Sequence, residues 1–192
     1  EARANLMAYW NLFDPKLFEL GILPNEDAAK AGYISEAMGD LTMLRRIKKG
    51  DRVEDDHMRA SHLIQTYLEK KTKAVEIVKK NGKTYRRVKD FDLYRQGAGE
   101  LLAEIMRIKA EGDFEAAKKL VSTYALKIDP SLRDEVIERC RQILYPDSVA
   151  FIVPELDLIK DREGKIVDVK ISYPMSLAAE QLKWAGKKLP KL

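Results

Sequence analysis

Residues 70–89 read KKTKAVEIVKKNGKTYRRVK, and the fold turns on whether this stretch continues a helix or interrupts one. Asn81-Gly82 sits between two β-rich runs, and a type I′ turn needs positive φ at both of its central positions. A two-residue loop then fixes the register: Lys80 opposite Lys83, Val78 opposite Tyr85, Glu76 opposite Arg87 and Val75 opposite Val88. Val75, Ile77 and Val88 share one face, the only one apolar enough to bury. A lone hairpin is marginal in water, so this one, over residues 74–88, is expected to lie against helices.

Helical patterns flank it on both sides. Asn25 can cap a helix running to about Lys49, with Tyr33, Ala37, Met38, Leu41, Leu44 and Ile47 as its apolar stripe and Gly50 as its stop. A second runs from about Val53 to Lys70, with Met58, Leu63, Ile64 and Leu68 inward. Beyond the hairpin, residues 90–113 form a long helix that buries Leu101, Leu102, Ile105 and Ile108. Gly97 and Gly99 each weaken it by about 1 kcal/mol relative to Ala, and admit a close neighbour. Asp113 opens a shorter helix, and Asp129-Pro130 supplies an N-cap with proline at the first helical position, opening another to about Leu144. The first residues also carry helical spacing, in Leu6, Met7, Trp10 and Phe13.

The character changes near residue 146. Residues 149–173 read as two strands around Asp161-Arg162-Glu163-Gly164, with Val167, Val169, Ile171 and Tyr173 on one face and Pro154 bending the first strand or confining it to an edge. Ser176 to Lys188 has the pattern of a final amphipathic helix. The expected fold is therefore mainly α: a helical domain over 1–145 carrying the hairpin 74–88, and a hairpin-helix segment over 146–192.

Composition narrows the function classes. The chain has 192 residues, 45% of them hydrophobic, and a formal charge of +4. No apolar run approaches the roughly 20 residues that cross a bilayer, so no membrane partner is expected. One cysteine, Cys140, excludes an internal disulfide framework and a Cys-rich zinc site, and makes a reducing cytoplasm the default location. Residues 70–89 hold nine Lys or Arg and one Glu, so they carry +8 and leave −4 for the rest. A nucleic-acid surface is one interpretation, but Tyr85 is the sole aromatic there, and stacking platforms supply several. Lysines that discourage edge pairing are the commoner explanation.

Catalytic motifs are scarce. The chain has no phosphate-binding glycine loop, no nucleophile elbow and no HExxH. His57 and His62 both lie in EDDHMRASHLI, five residues apart and so about 140° apart on a helix, which prevents them from chelating one ion together. His62 reads as a structural or surface residue. His57 is either a plain surface histidine near Glu54 and Asp55 or a functional one. Glu1 and Asn5 share a helix face at i, i+4.

EARANLMAYWNLFDPKLFELGILPNED, at the start of the chain, resembles the second zinc motif and following segment of the dipeptidyl peptidase III family of zinc metallopeptidases. DDHMRASHLIQTYLE, GELLAEIMRIKAEGDFEAAKKLVSTYALKIDPSLRDEVIERC and FIVPELDLIKDREGKIVDVKISY are similar to later family segments in the same order, so the likeness covers nearly the whole chain. In the family a carboxylate within Glu-Cys-Arg-Ala-Glu/Asp is the third zinc ligand, and Glu1 of Glu1-Ala2-Arg3-Ala4-Asn5 stands at that position. The other two ligands and the general base belong to an HExxxH-type helix that lies upstream in the family. The histidine that steadies substrate there corresponds to His57.

Two positions depart from the family pattern. Asn5 replaces an acidic residue that orients a zinc-bound histidine, and Ser61 replaces a substrate-contacting arginine. The resemblance thus implies the C-terminal part of a Zn²⁺-dependent enzyme releasing dipeptides from peptide N-termini. Its partners are a peptide substrate and the upstream part of the same protein. Alternatives are a catalytically silent relative serving as an interaction domain, and a basic helical nucleic-acid module. The 192 residues alone are expected to bind no zinc and cleave no peptide, with His57 too far from Glu1 to share a metal. Tyr9, Trp10 and Phe13 are expected to form an exposed apolar patch.

Overall fold

A computed structural model describes residues 1–145, 154–173 and 176. The protein is mainly helical with two small antiparallel hairpins. It divides into two compact units, Glu1–Tyr145 and Pro146–Leu192.

In the first unit the helices are α1 (Ala2–Asn11), α2 (Pro15–Glu19), α3 (Glu26–Met43), α4 (Asp56–Tyr67), α5 (Phe91–Glu111), α6 (Phe114–Tyr124) and α7 (Pro130–Gln142). Six start the same way: the side chain of Asp14, Asn25, Asp55, Asp90, Asp113 or Asp129 accepts a hydrogen bond from a first-turn backbone N–H. Each satisfies a donor that the helix geometry leaves orphaned. α1 is different, because Glu1 makes no such capping bond. Its carboxylate is directed elsewhere.

Helix ends depart from the sequence pattern where tertiary packing intervenes. α3 stops at Met43 and tightens into a 3₁₀ turn, Leu44–Arg46, short of the expected Lys49. The extended Ile47 is buried while Lys48 and Lys49 stay outside. A continued α-helix would have carried Lys48 onto the stripe of Ala37, Leu41 and Leu44. α4 begins three residues later than Val53, which is buried but extended, its N–H bonded to Leu126 O at 2.8 Å. It ends in a π-turn, Leu68–Thr72, and Lys73 at φ 62° turns the chain into the hairpin.

β1 (Val75–Lys80) and β2 (Lys83–Val88) pair in the expected register, with Asn81 and Gly82 at φ 51° and 72°. Their buried face is less apolar than predicted. Val75 and Val88 are buried, but Ile77 is 38% exposed, and the middle of that face holds the buried polar residues Thr84 and Arg86. Partners on other elements make this tolerable: Asp40 and Glu69 pair with Arg86, and Glu135 accepts from Thr84 N (2.7 Å) and Oγ1 (2.6 Å).

The main core gathers Leu6, Tyr33, Ile64, Leu68, Tyr94 and Leu101, with Tyr33 and Tyr94 stacked at 4.0 Å. A second cluster joins Leu41, Leu44, Ile47, Val53, Met58 and Val136. α5 buries Leu101, yet Leu102, Ile105 and Ile108 are only half-buried, because Tyr94 and Ala98 form the centre of its inner face. The glycines admit close neighbours as expected. A Cβ at Gly97 would lie 2.6 Å from Thr72 Cγ2, and one at Gly99 would lie 2.5 Å from the Trp10 ring.

In the second unit β3 (Glu155–Lys160) pairs with β4 (Ile166–Ser172), irregularly at Ile159/Lys160, and Gly164 turns at φ 84°. Leu156, Leu158, Val169 and Ile171 share one face and are 40–61% exposed. Pro154 precedes the strand, where its missing N–H interrupts no ladder. The helix expected over Ser176 to Lys188 lies outside the described residues, apart from Ser176 itself.

Candidate functional site

The two residues that the resemblance singles out, Glu1 and His57, stand together. Glu1 precedes the first turn of α1, and His57 lies in the first turn of α4 behind its Asp55 cap. His57 Nδ1 and Glu1 Oε1 are 3.1 Å apart, with side chains 65% and 42% exposed. This corrects the expectation that His57 lies too far from Glu1 to share a site. The packing of α1 on α4 closes a separation that sequence spacing cannot show. The hydrogen bond with Glu1, then the Glu1 charge and those of Asp56 and Asp55, hold the imidazole above its ordinary pKa, against a small opposing effect of burial.

One carboxylate and one imidazole are donors of the types that hold zinc in catalytic sites, where three protein ligands leave one position open. Two donors fall short of that set. Among the described residues no group of three or more His, Cys, Asp or Glu is placed to hold a metal ion. Asn5 is half-buried, its N–H bonded to Glu1 O at 3.2 Å. Ser61 is buried, so it offers no exposed contact to a substrate.

His62 faces the other way on α4, as the spacing predicts, and it is buried. Nδ1 is 3.3 Å from Asp40 Oδ2, and Nε2 is 3.0 Å from Lys127 O. Thr66 Oγ1 is 3.4 Å from the same Nε2, which superficially gives a hydroxyl, imidazole and carboxylate in series. A carbonyl oxygen only accepts, so the bond to Lys127 requires a proton on Nε2. That nitrogen is therefore no base towards Thr66, and the constellation is structural.

Asp40 is the centre of this network, which also receives the Arg86 guanidinium. Burial alone would raise its carboxyl pKa, but the His62 hydrogen bond and the Arg86 charge outweigh burial and hold it below the ordinary value. Nothing in the motif inspection pointed to Asp40 or Arg86. The signal was nonetheless there: Asp40 interrupts the α3 stripe beside Leu41, and the hairpin register puts Arg86 on the same face as Val88.

The expected exposed aromatic patch is smaller than predicted. Trp10 is 42% exposed and Phe13 half-buried, but Tyr9 is in the core, its hydroxyl donating to Glu36 Oε2 at 2.6 Å. Tyr85 lies beneath the Arg139 guanidinium, 4.8 Å from the ring centroid, so the one aromatic of the basic segment is occupied. No helix among the described residues is long and apolar enough to cross a membrane. Compared with known proteins, the sequence matches no protein-family model and no curated protein.

Proposed function

We propose that this chain is the zinc-side part of a dipeptidyl peptidase III-like metallopeptidase, in which Glu1 supplies a zinc-ligating carboxylate and His57 a hydrogen-bond donor to the peptide. The observation that carries the reading is the 3.1 Å contact between Glu1 and His57. The contact brings the zinc-ligand position and the substrate-steadying position of the resemblance side by side, closer than the sequence suggested. Bound zinc would supply polarisation of the scissile carbonyl and acidification of water. The two imidazoles that complete the ligand set come, in this reading, from an HExxxH-type helix in a longer chain.

The chain's own residues have two tasks. Glu1, free of capping duty and exposed, presents its carboxylate to the metal. His57 donates an imidazole N–H to the oxygen on which charge develops.

The test is a protein extended upstream through the HExxxH helix. It should release dipeptides from a model substrate. His57→Ala should lower kcat by about 10²-fold or more with KM little changed and zinc retained, whereas Glu1→Ala should lose zinc. An extended protein that binds zinc but releases no dipeptide would identify a silent relative instead, with the departures at Asn5 and Ser61 as its cause.

A further inference from the structure

The loop that joins α3 to α4 passes over a cavity of about 550 Å³, whose lining includes Arg46, Lys48, Lys49 and Arg52, with Asp55 and Met58 at the α4 end. Four cations within seven residues would ordinarily be a solvated surface. Here the loop is held in place: Ile128 N donates to Asp51 O at 2.9 Å, Val53 N to Leu126 O at 2.8 Å, and Arg133 to Gly50 O. Arg46, Lys48, Lys49 and Arg52 line one concavity with the buried Ile47 and Met58, and the bonds to Gly50, Asp51 and Val53 fix the loop beside it. The cavity reaches the N-terminal end of the helix that carries His57, because Asp55 both lines it and caps that helix.

We propose that this cavity receives acidic side chains of the peptide acted on at Glu1 and His57, so that the substrates are anionic peptides. This rests on the peptidase reading and names its substrate class. Carboxylates are matched by charge-assisted hydrogen bonds from Lys49 and Arg52, and the four cations of the lining outnumber its two carboxylates, so the concavity carries a net attraction for anions. Asp55, and Glu54 beside it in the lining, repel carboxylates at the α4 end. The acidic residue of the peptide therefore lies towards Lys49 and Arg52, away from His57.

The experiment titrates the 192-residue chain at 0.15 M salt with N-acetylated, amidated tetraglutamate, followed by NMR, with tetraglutamine and inorganic phosphate as comparison probes. Saturable shifts confined to residues 46–58 are expected. Lys49→Glu/Arg52→Glu should weaken binding at least about tenfold, and the charge-matched Lys80→Glu/Lys83→Glu at the hairpin tip should leave it unchanged. Absence of saturable shifts, equal binding of tetraglutamine, or equal weakening by both charge reversals would overturn the proposal. Phosphate competing at equal affinity would overturn it too, reassigning the cavity to a phosphate ligand. The readout needs neither zinc nor hydrolysis, so failure here leaves the peptidase reading standing, and an extended protein without activity sinks that reading separately.

Discussion

At the residue scale, two histidines five positions apart are put to opposite uses. His57 is exposed and paired with Glu1, which raises its pKa above the ordinary 6.5. An NMR titration should place its midpoint above that value, and Glu1→Gln should bring it back towards 6.5. Because the folded-state pKa is the raised one, the contribution of the pair to folding is present below about 6.5 and is lost as pH rises through the folded value. A midpoint indifferent to Glu1→Gln would show that the contact does not persist in solution. His62 is buried between Asp40 and Lys127, so His62→Ala should cost about 1–3 kcal/mol in urea unfolding, whereas the exposed His57→Ala should leave the midpoint nearly unchanged. The residue types at both positions were legible in the sequence, as was their divergence around α4. The approach of His57 to Glu1 was not, since it depends on how two helices pack.

Elements with local causes were the most legible. The Asn81-Gly82 register and the capping residues Asn25, Asp113 and Asp129 depend on neighbours within four positions, and the structure has all of them. The C-terminal end of α3 and the start of α4 depend on what the core accepts, and there the periodicity extended too far. α5 offers a test of close packing. At Gly97 the neighbours are Thr72 and the buried Leu68, so Gly97→Ala should destabilise by about 1–2 kcal/mol despite the helix-propensity gain of about 1. Gly99→Ala should be nearly neutral, because the half-exposed Trp10 ring can swing aside. Chemical denaturation of the two variants checks this, and a stabilised Gly97→Ala would contradict the packing.

At the scale of the molecule, the two hydrophobic clusters found among the described residues lie within residues 1–145. A fragment of residues 1–145 should therefore unfold cooperatively by itself, while residues 146–192 alone should not hold the β3–β4 hairpin. Calorimetry and circular dichroism of the two fragments would decide it. Within the first unit Asp40 ties α3 to α4 and β2, and Asp40→Ala should cost roughly 3–5 kcal/mol by leaving Arg86 with the single partner Glu69. As the folded-state pKa of Asp40 is the lowered one, its contribution is complete above about 3.8 and is lost as pH falls through the folded value. Asp40→Asn should accordingly flatten the acid limb of the stability profile.

The same network also sets a condition on biosynthesis. Lys127, whose carbonyl receives His62, follows it by 65 residues, which is about 3–13 s of translation at 5–20 residues per second. The hairpin itself closes in microseconds. The hairpin is complete only at Val88, 39 residues before Lys127, so for about 2–8 s of translation its inner face has no finished seat, and the middle of the chain waits on the emergence of the α6–α7 connection before it can dry.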